Sequence, residues 1–441
     1  MSQPARARPR GASLLTARWL FLDSTRRLAG GGVFVARGKV ARILADRGAV
    51  LRFARREGIA LLDLGDRVLA PGFVDAHAHL ELSALEGKLP GRGSFADWIR
   101  KLVAQRAALS AADLRRSVER GVSRLLASGT TAVGDIDSTG TSEAVLRAGP
   151  LRARVYREIL DLGDPVRSSG ALTRAARPAA RSASLRIGLS PHAPYTVGAG
   201  LLRSAAGLAC RRGWPAAVHW AETVEEVDWL ARGRGPMRAI FARSAGLARS
   251  APRGGLAVLA AAGLLGPDLA LVHGNHPEAG DIERIARSGA TLVHCPGTHA
   301  FFGRRRFGLR AWIDAGVTVA LGTDGLSSNR ELDMRREMSL LRRAHAWLPP
   351  ATVFEMATRS GARAIGFAGE TGEISERSLA DVCAHGFPEL SAREARSAAA
   401  LLDALTSGRS TVDGVWIGGR SAVAGPEFSG ELSESRGRIA E

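Results

Sequence analysis

Eight short apolar runs, alternating with helical stretches, constrain the fold of this chain more than any other feature. They lie at Gly72–Ala76, Thr131–Asp135, Ala153–Leu160, Leu185–Leu189, Ala216–Val218, Leu269–Val272, Ala290–Val293 and Thr318–Leu321. Helical patterns fall between them, at Phe95–Leu109, Ala111–Ser128, Leu201–Arg212, Asp281–Arg287 and Leu332–His345. A run that is apolar throughout and too short for a helix fits a strand buried on both faces. Such strands in alternation with helices predict an α/β fold, a parallel (β/α)8 TIM-like barrel. The flanks read differently, as short alternating runs such as LLTARWLFLD and VDGVWIGGRSAV broken by Gly and charged turns. They predict one small β-sandwich domain built from both termini, residues 11–68 plus 372–426, around a barrel at 69–371. Residues 1–10 and 427–441 are polar and are expected to fray.

Composition removes several alternatives. A chain that is 45% hydrophobic and 24% charged is not disordered as a whole. No stretch approaches the roughly 18 uninterrupted apolar residues of a membrane span. The apolar segment Leu14–Leu22 is interrupted by Arg18 and followed by Asp23, so no secretory signal is expected and a cytoplasmic location follows. Cys210, Cys295 and Cys383 have no paired spacing, which argues against a disulfide framework or a zinc ribbon. The formal charge of +18 suggests nucleic acid, but only Lys39, Lys88 and Lys101 of the 61 basic residues are lysine. The arginines are dispersed, with RRR at 304–306 the longest run and read as a solvated loop. Dispersal of that kind is not a binding footprint, and no nucleic-acid partner is expected.

The chemistry is concentrated in the histidines. In PGFVDAHAHLE, at 71–81, His77 and His79 alternate in a strand-like run and project to one face. They stand at the end of the first barrel strand, where this fold carries its active site, and two imidazoles on one face can share a metal ion. His192, His219, His273 and His294 each follow a predicted strand, in SPHAPYT, VHWAE, LVHG and LVHC. Singly, each could be a satisfied loop or core histidine; four in consecutive βα units are poorly explained by coincidence. Asp324, in LGTDGLSSN, closes the series after the eighth strand, either as a helix cap or as an anionic ligand or base. Glu222 could be an ordinary acid in the first turn of a helix.

PGFVDAHAH, HWAE, the single His after strand six and GTD after strand eight resemble the amidohydrolase superfamily, in its deaminase and chlorohydrolase branch. HCPGTHAFFG and SPHAPYT are most similar to aminodeoxyfutalosine deaminases of menaquinone biosynthesis. The resemblance covers residues 13 to 425 and implies that His77, His79, His219 and Asp324 bind one divalent ion, zinc or iron. It implies further that Glu222 shuttles the proton and that His273 holds the attacking water or polarises the leaving group. The bridging lysine of two-metal relatives has no counterpart, because no lysine follows Lys101. His192 occupies the fourth-strand position and contacts substrate or orients a ligand.

The weaker candidates are substrate contacts. Trp98 either stacks on the substrate or packs its helix; Glu81 either bonds a ribose or is a solvated acid. Arg157, in the third run, either pairs with a substrate carboxylate or is one arginine among many, and His299 is a candidate for the pocket wall. Gly325 stands where relatives often have Ser, and Arg377-Ser378 replaces the usual Gly-Lys. The expected activity is hydrolytic deamination of an aminated purine nucleoside, 6-amino-6-deoxyfutalosine foremost. S-adenosylhomocysteine, methylthioadenosine, guanine or a chlorinated heterocycle are alternatives, and a catalytically dead scaffold is another. The expected partner is a small-molecule substrate, with neither nucleic acid nor membrane, and pairing of β-domain surfaces would give a homodimer.

Overall fold

The computed structural model describes residues 12–180, 182–241 and 254–424, so the expected frayed tails lie outside the described residues. Eight parallel strands form one sheet in sequence order, at Phe73–Ala78, Thr130–Asp137, Arg152–Ile159, Leu185–Pro191, Ala216–Trp220, Leu269–His273, Thr291–His294 and Val319–Leu321. These barrel strands are numbered one to eight below. Each predicted apolar run falls on one of them. Strands four to seven extend past the predicted ends, so His219 lies within strand five and His273 and His294 terminate theirs; of these four histidines only His192 follows its strand.

Full burial on both faces explains the runs: every residue of strands one, two and five to eight is buried. The barrel interior is filled by Ile136, Tyr156, Ala217, Ala270, Val272, Val293 and Ala320, with Ile365 and Phe367 packed against them. It is a packed core with its chemistry at one mouth.

Closure is made where the candidate ligands lie. Asp324 forms a parallel bridge to Ala78, its N–H donating to the His77 carbonyl (2.9 Å) and its carbonyl accepting from the His79 N–H (3.0 Å). Beneath, the buried carboxylate of Asp75 accepts from the N–H groups of Thr323 (3.0 Å) and His77 (3.2 Å). Burial outweighs these bonds and raises Asp75 to about 6.

Two further sheets come from the flanks. One has the order Lys39–Leu44, Gly32–Ala36, Ser13–Thr16, Leu61–Asp63. The other runs Arg420–Ala424, Thr411–Ile417, Val382–Gly386, Val68–Pro71, Trp19–Phe21, Arg27–Ala29. They share an apolar core in which Leu15, Val33 and Val40 meet Leu20, Leu69, Val382 and Trp416. The flanks are not strands alone. Helix Arg47–Glu57 interrupts the first, capped by the Asp46 side chain accepting from the Ala49 N–H (2.8 Å) and ended by Gly58 in the left-handed region. It buries only Val50 and Phe53, and this narrow stripe is masked in sequence by its arginines. Among the described residues no helix is long and apolar enough to cross a membrane.

Candidate metal centre and substrate cavity

Four side chains from three strand ends converge at the barrel mouth. His79 Nε2 lies 3.1 Å from His219 Nε2, and Asp324 Oδ1 lies 3.5 Å from His77 Nε2 and 3.6 Å from His79 Nε2. Ligands held tetrahedrally at about 2.1 Å from a common ion stand about 3.4 Å apart. The observed spacings match that. Both ring nitrogens of His77 are buried without a hydrogen-bond partner, a costly arrangement that a cation at Nε2 would relieve at that atom.

The surroundings prepare each donor. His219 Nδ1 donates to the His192 carbonyl (2.9 Å), so its Nε2 presents a lone pair to the cluster. Burial, then the neighbouring His77, lowers His79 to about 3, and burial with the adjacent histidines holds His219 well below the usual range. Both imidazoles are therefore neutral, as ligation requires. Asp324 Oδ2 accepts from Thr298 Oγ1 (3.0 Å) and Ser328 Oγ (2.9 Å), which leaves Oδ1 for the cluster. Burial would raise this carboxyl, but the facing histidines win and keep it well below its ordinary value. Asp324 (φ 61°), His273 (φ 76°) and Ala221 (φ 50°) all adopt left-handed backbone conformations, strain of roughly 1–2 kcal/mol each. Three such residues in one mouth mark where the chain is bent to aim side chains.

Glu222 stands beside the cluster on a clamped backbone. The Glu226 carboxylate accepts from the N–H groups of Ala221 (2.9 Å) and Glu222 (2.7 Å), and burial lifts Glu226 to about 8. Glu222 Oε2 is 3.7 Å from His273 Nε2, and Oε1 accepts from Arg304 at 2.9 Å. Arg304 belongs to the RRR run read as a solvated loop. Its side chain is only 10% exposed, which corrects that reading, whereas Arg305 and Arg306 are exposed.

These groups open into a cavity of about 670 Å³. Trp98, Glu81 and His192 line it. Trp98 stacks on Phe95 (centroids 5.6 Å, 11°) and meets Phe302 edge-on at 5.3 Å. The buried Glu81 carboxylate accepts from Ser138 Oγ (2.9 Å), the Thr139 N–H (3.2 Å) and Arg106 (3.3 Å). Thr196 accepts from His192 Nδ1 (2.8 Å) while donating to the Ala193 carbonyl, so His192 Nε2 is an acceptor.

Two expected contacts are not in the wall. Arg157 faces the helical layer, donating to Glu143 (3.1 Å) and the Ala175 carbonyl (2.9 Å) against Trp214. Side chains alternate along a strand, so its neighbour Glu158 lines the cavity instead. Burial, offset in part by Arg106, raises Glu158 to about 7. Arg157→Met is therefore expected to lower stability by about 1–3 kcal/mol, since Glu143 loses a buried partner. KM should be unchanged; denaturant unfolding and steady-state kinetics check both. His299 lies behind the wall, bonding Asn275 (3.2 Å), which in turn donates to the Glu222 carbonyl (3.0 Å). His294 stacks on Phe307 (4.0 Å), outside the cluster. Sequence reasoning missed Glu158, Arg106, Glu226 and Arg304; for Glu158 the two-residue period was the available signal.

The chain belongs to the amidohydrolase family, whose sequence profile matches residues 68–422. It is 31% identical over 342 residues to the 5-methylthioadenosine/S-adenosylhomocysteine deaminase of Thermococcus kodakarensis, covering 74% of this chain and 76% of that one. It is 30% identical over 373 residues to the aminodeoxyfutalosine deaminase of Deinococcus radiodurans, covering 80% and 85%. The fold is that of an adenosine deaminase from Xanthomonas campestris solved with bound zinc, with a TM-score of 0.77, 24% identity, and 96% and 97% coverage. The protein is thus a hydrolase of the amidohydrolase family, built on a TIM barrel with an added β-domain.

Proposed function

We propose that the protein is a mononuclear, metal-dependent deaminase of a 5′-substituted adenosine, with 6-amino-6-deoxyfutalosine the leading substrate. The observation that carries this reading is the convergence of His77, His79, His219 and Asp324, with the Glu222 carboxylate beside them, on one aromatic-walled cavity; His273 also lies within ligand distance of His77 and His219. Three imidazoles and a carboxylate suit zinc or iron, and either ion, when bound, supplies the Lewis acidity that makes water nucleophilic near neutral pH. Glu222 would accept a proton from the attacking water as its oxygen bonds to the amine-bearing carbon, and would return that proton to the nitrogen, which leaves as ammonia when the C–N bond breaks; His273, 3.7 Å from Glu222, would orient the reacting groups. Trp98 and Phe95 offer a platform for the ring, Glu81 with Ser138 and Thr139 a partner for ribose hydroxyls, and His192 Nε2 an acceptor. The deaminase relatives named above support the class.

A second reading, a methylthioadenosine-type substrate, is favoured by one observation. Arg157 is turned away, and Arg106, the cation in the cavity wall among the described residues, already donates to Glu81 and to Ser138 (2.6 Å). The test compares loss of adenine absorbance for aminodeoxyfutalosine, methylthioadenosine, S-adenosylhomocysteine, adenosine and guanine at equal concentration. The 5′-substituted adenosines should exceed adenosine, with aminodeoxyfutalosine first. Methylthioadenosine in first place would select the second reading; guanine in first place would overturn both.

A further inference from the structure

Arg304 lies in the loop after strand seven, yet its guanidinium reaches Glu222 after strand five and packs between the ring of Phe302, two residues before it, and that of Phe95 after strand one. It sits 4.6 Å from the Phe302 ring centroid and 5.9 Å from that of Phe95. Phe95 and Trp98 line the cavity, so the group that holds Glu222 also leans on the wall proposed to receive the substrate ring. A buried ion pair is weak evidence for stability, because desolvation offsets most of the attraction. In a chain rich in arginine, an arginine kept 90% buried against a carboxylate 8% exposed points to another use.

The pair is one-sided. Arg304 Nη2 binds Glu222 Oε1, while Nη1 is buried with no partner among the described residues. A carboxylate held through one oxygen is restrained in rotation, and here its other oxygen is directed at His273, 3.7 Å away. A proton carrier needs that restraint, because it must meet donor and acceptor in turn without reorienting.

We infer that Arg304 is a positioning residue for Glu222, locking the carboxylate in register with the aromatic wall; the inference rests on the deaminase reading above. Arg304→Met should lower kcat roughly 10- to 100-fold, the span of one charge-assisted hydrogen bond, with KM and metal content little changed. Arg304→Lys, which keeps the charge, should recover part of the loss. Made in a Glu222→Gln background, Arg304→Met should cost almost nothing more, because the two act as a unit. An equal fold-loss in both backgrounds, or a loss confined to KM, would overturn the assignment. Hydrogen exchange over residues 299–308 tests the pair without substrate and should quicken in both Arg304→Met and Glu222→Ala. Unchanged exchange in Glu222→Ala would also overturn it. Wild-type enzyme inactive on every nucleoside would sink the deaminase reading alone and leave the exchange experiment to judge the pair.

Discussion

Replacing His219 by alanine is expected to remove bound metal and turnover together. Its Nε2 faces His79 Nε2 at 3.1 Å, and its orientation is fixed by the His192 carbonyl. Loss of a ligand forfeits several kcal/mol of Lewis-acid stabilisation, which is roughly 10³-fold or more in rate. His77→Ala, His79→Ala and Asp324→Asn should behave alike, each removing one of the converging donors. Elemental analysis should find close to one ion per wild-type chain and markedly less in each variant. Two tightly held ions, or full activity after chelation, would contradict a mononuclear centre.

Glu222→Gln should separate metal binding from proton transfer. The amide keeps the shape and can still accept from Arg304, but it cannot carry a proton. Metal content should remain at the wild-type level while kcat falls roughly 10²- to 10⁴-fold, the range of general acid–base catalysis. The clamp from Glu226 acts on the backbone and is unaffected by the change, so the fold should persist. A near-wild-type rate would mean that another group moves the proton.

The barrel was legible because its strands are buried on both faces and so leave continuous apolar runs, as at Leu269–His273. The same continuity hid which face each residue takes. In strand three, Arg157 and Glu158 are adjacent, and the wall of the cavity receives the second. Only a known phase of the two-residue period separates them. His77, His79, His219 and Asp324 were legible as candidates because imidazoles and a carboxylate recur at strand ends, an arrangement that core packing does not require. Arg304 was not, because its neighbours Arg305 and Arg306 are exposed and local sequence cannot tell which of three arginines turns inward. Glu225 and Glu226 were equally opaque. One binds the N–H groups of Phe95 and Ala96 at a helix start across the barrel mouth, the other its own preceding turn.

The seam joining strand eight to strand one has a consequence for biosynthesis. Asp75 and Thr323 lie 248 residues apart in sequence, and the bonds between them and between His77 and Asp324 close the barrel. On a ribosome adding roughly 5–20 residues per second, a nascent chain emerges for many seconds with the histidine pair exposed and its carboxylate counterpart not yet made. During that interval the four-donor set does not exist, and a truncated product ending before Asp324 can never assemble it. A chain that stops short of this seam therefore has neither a closed barrel nor the full set of converging donors.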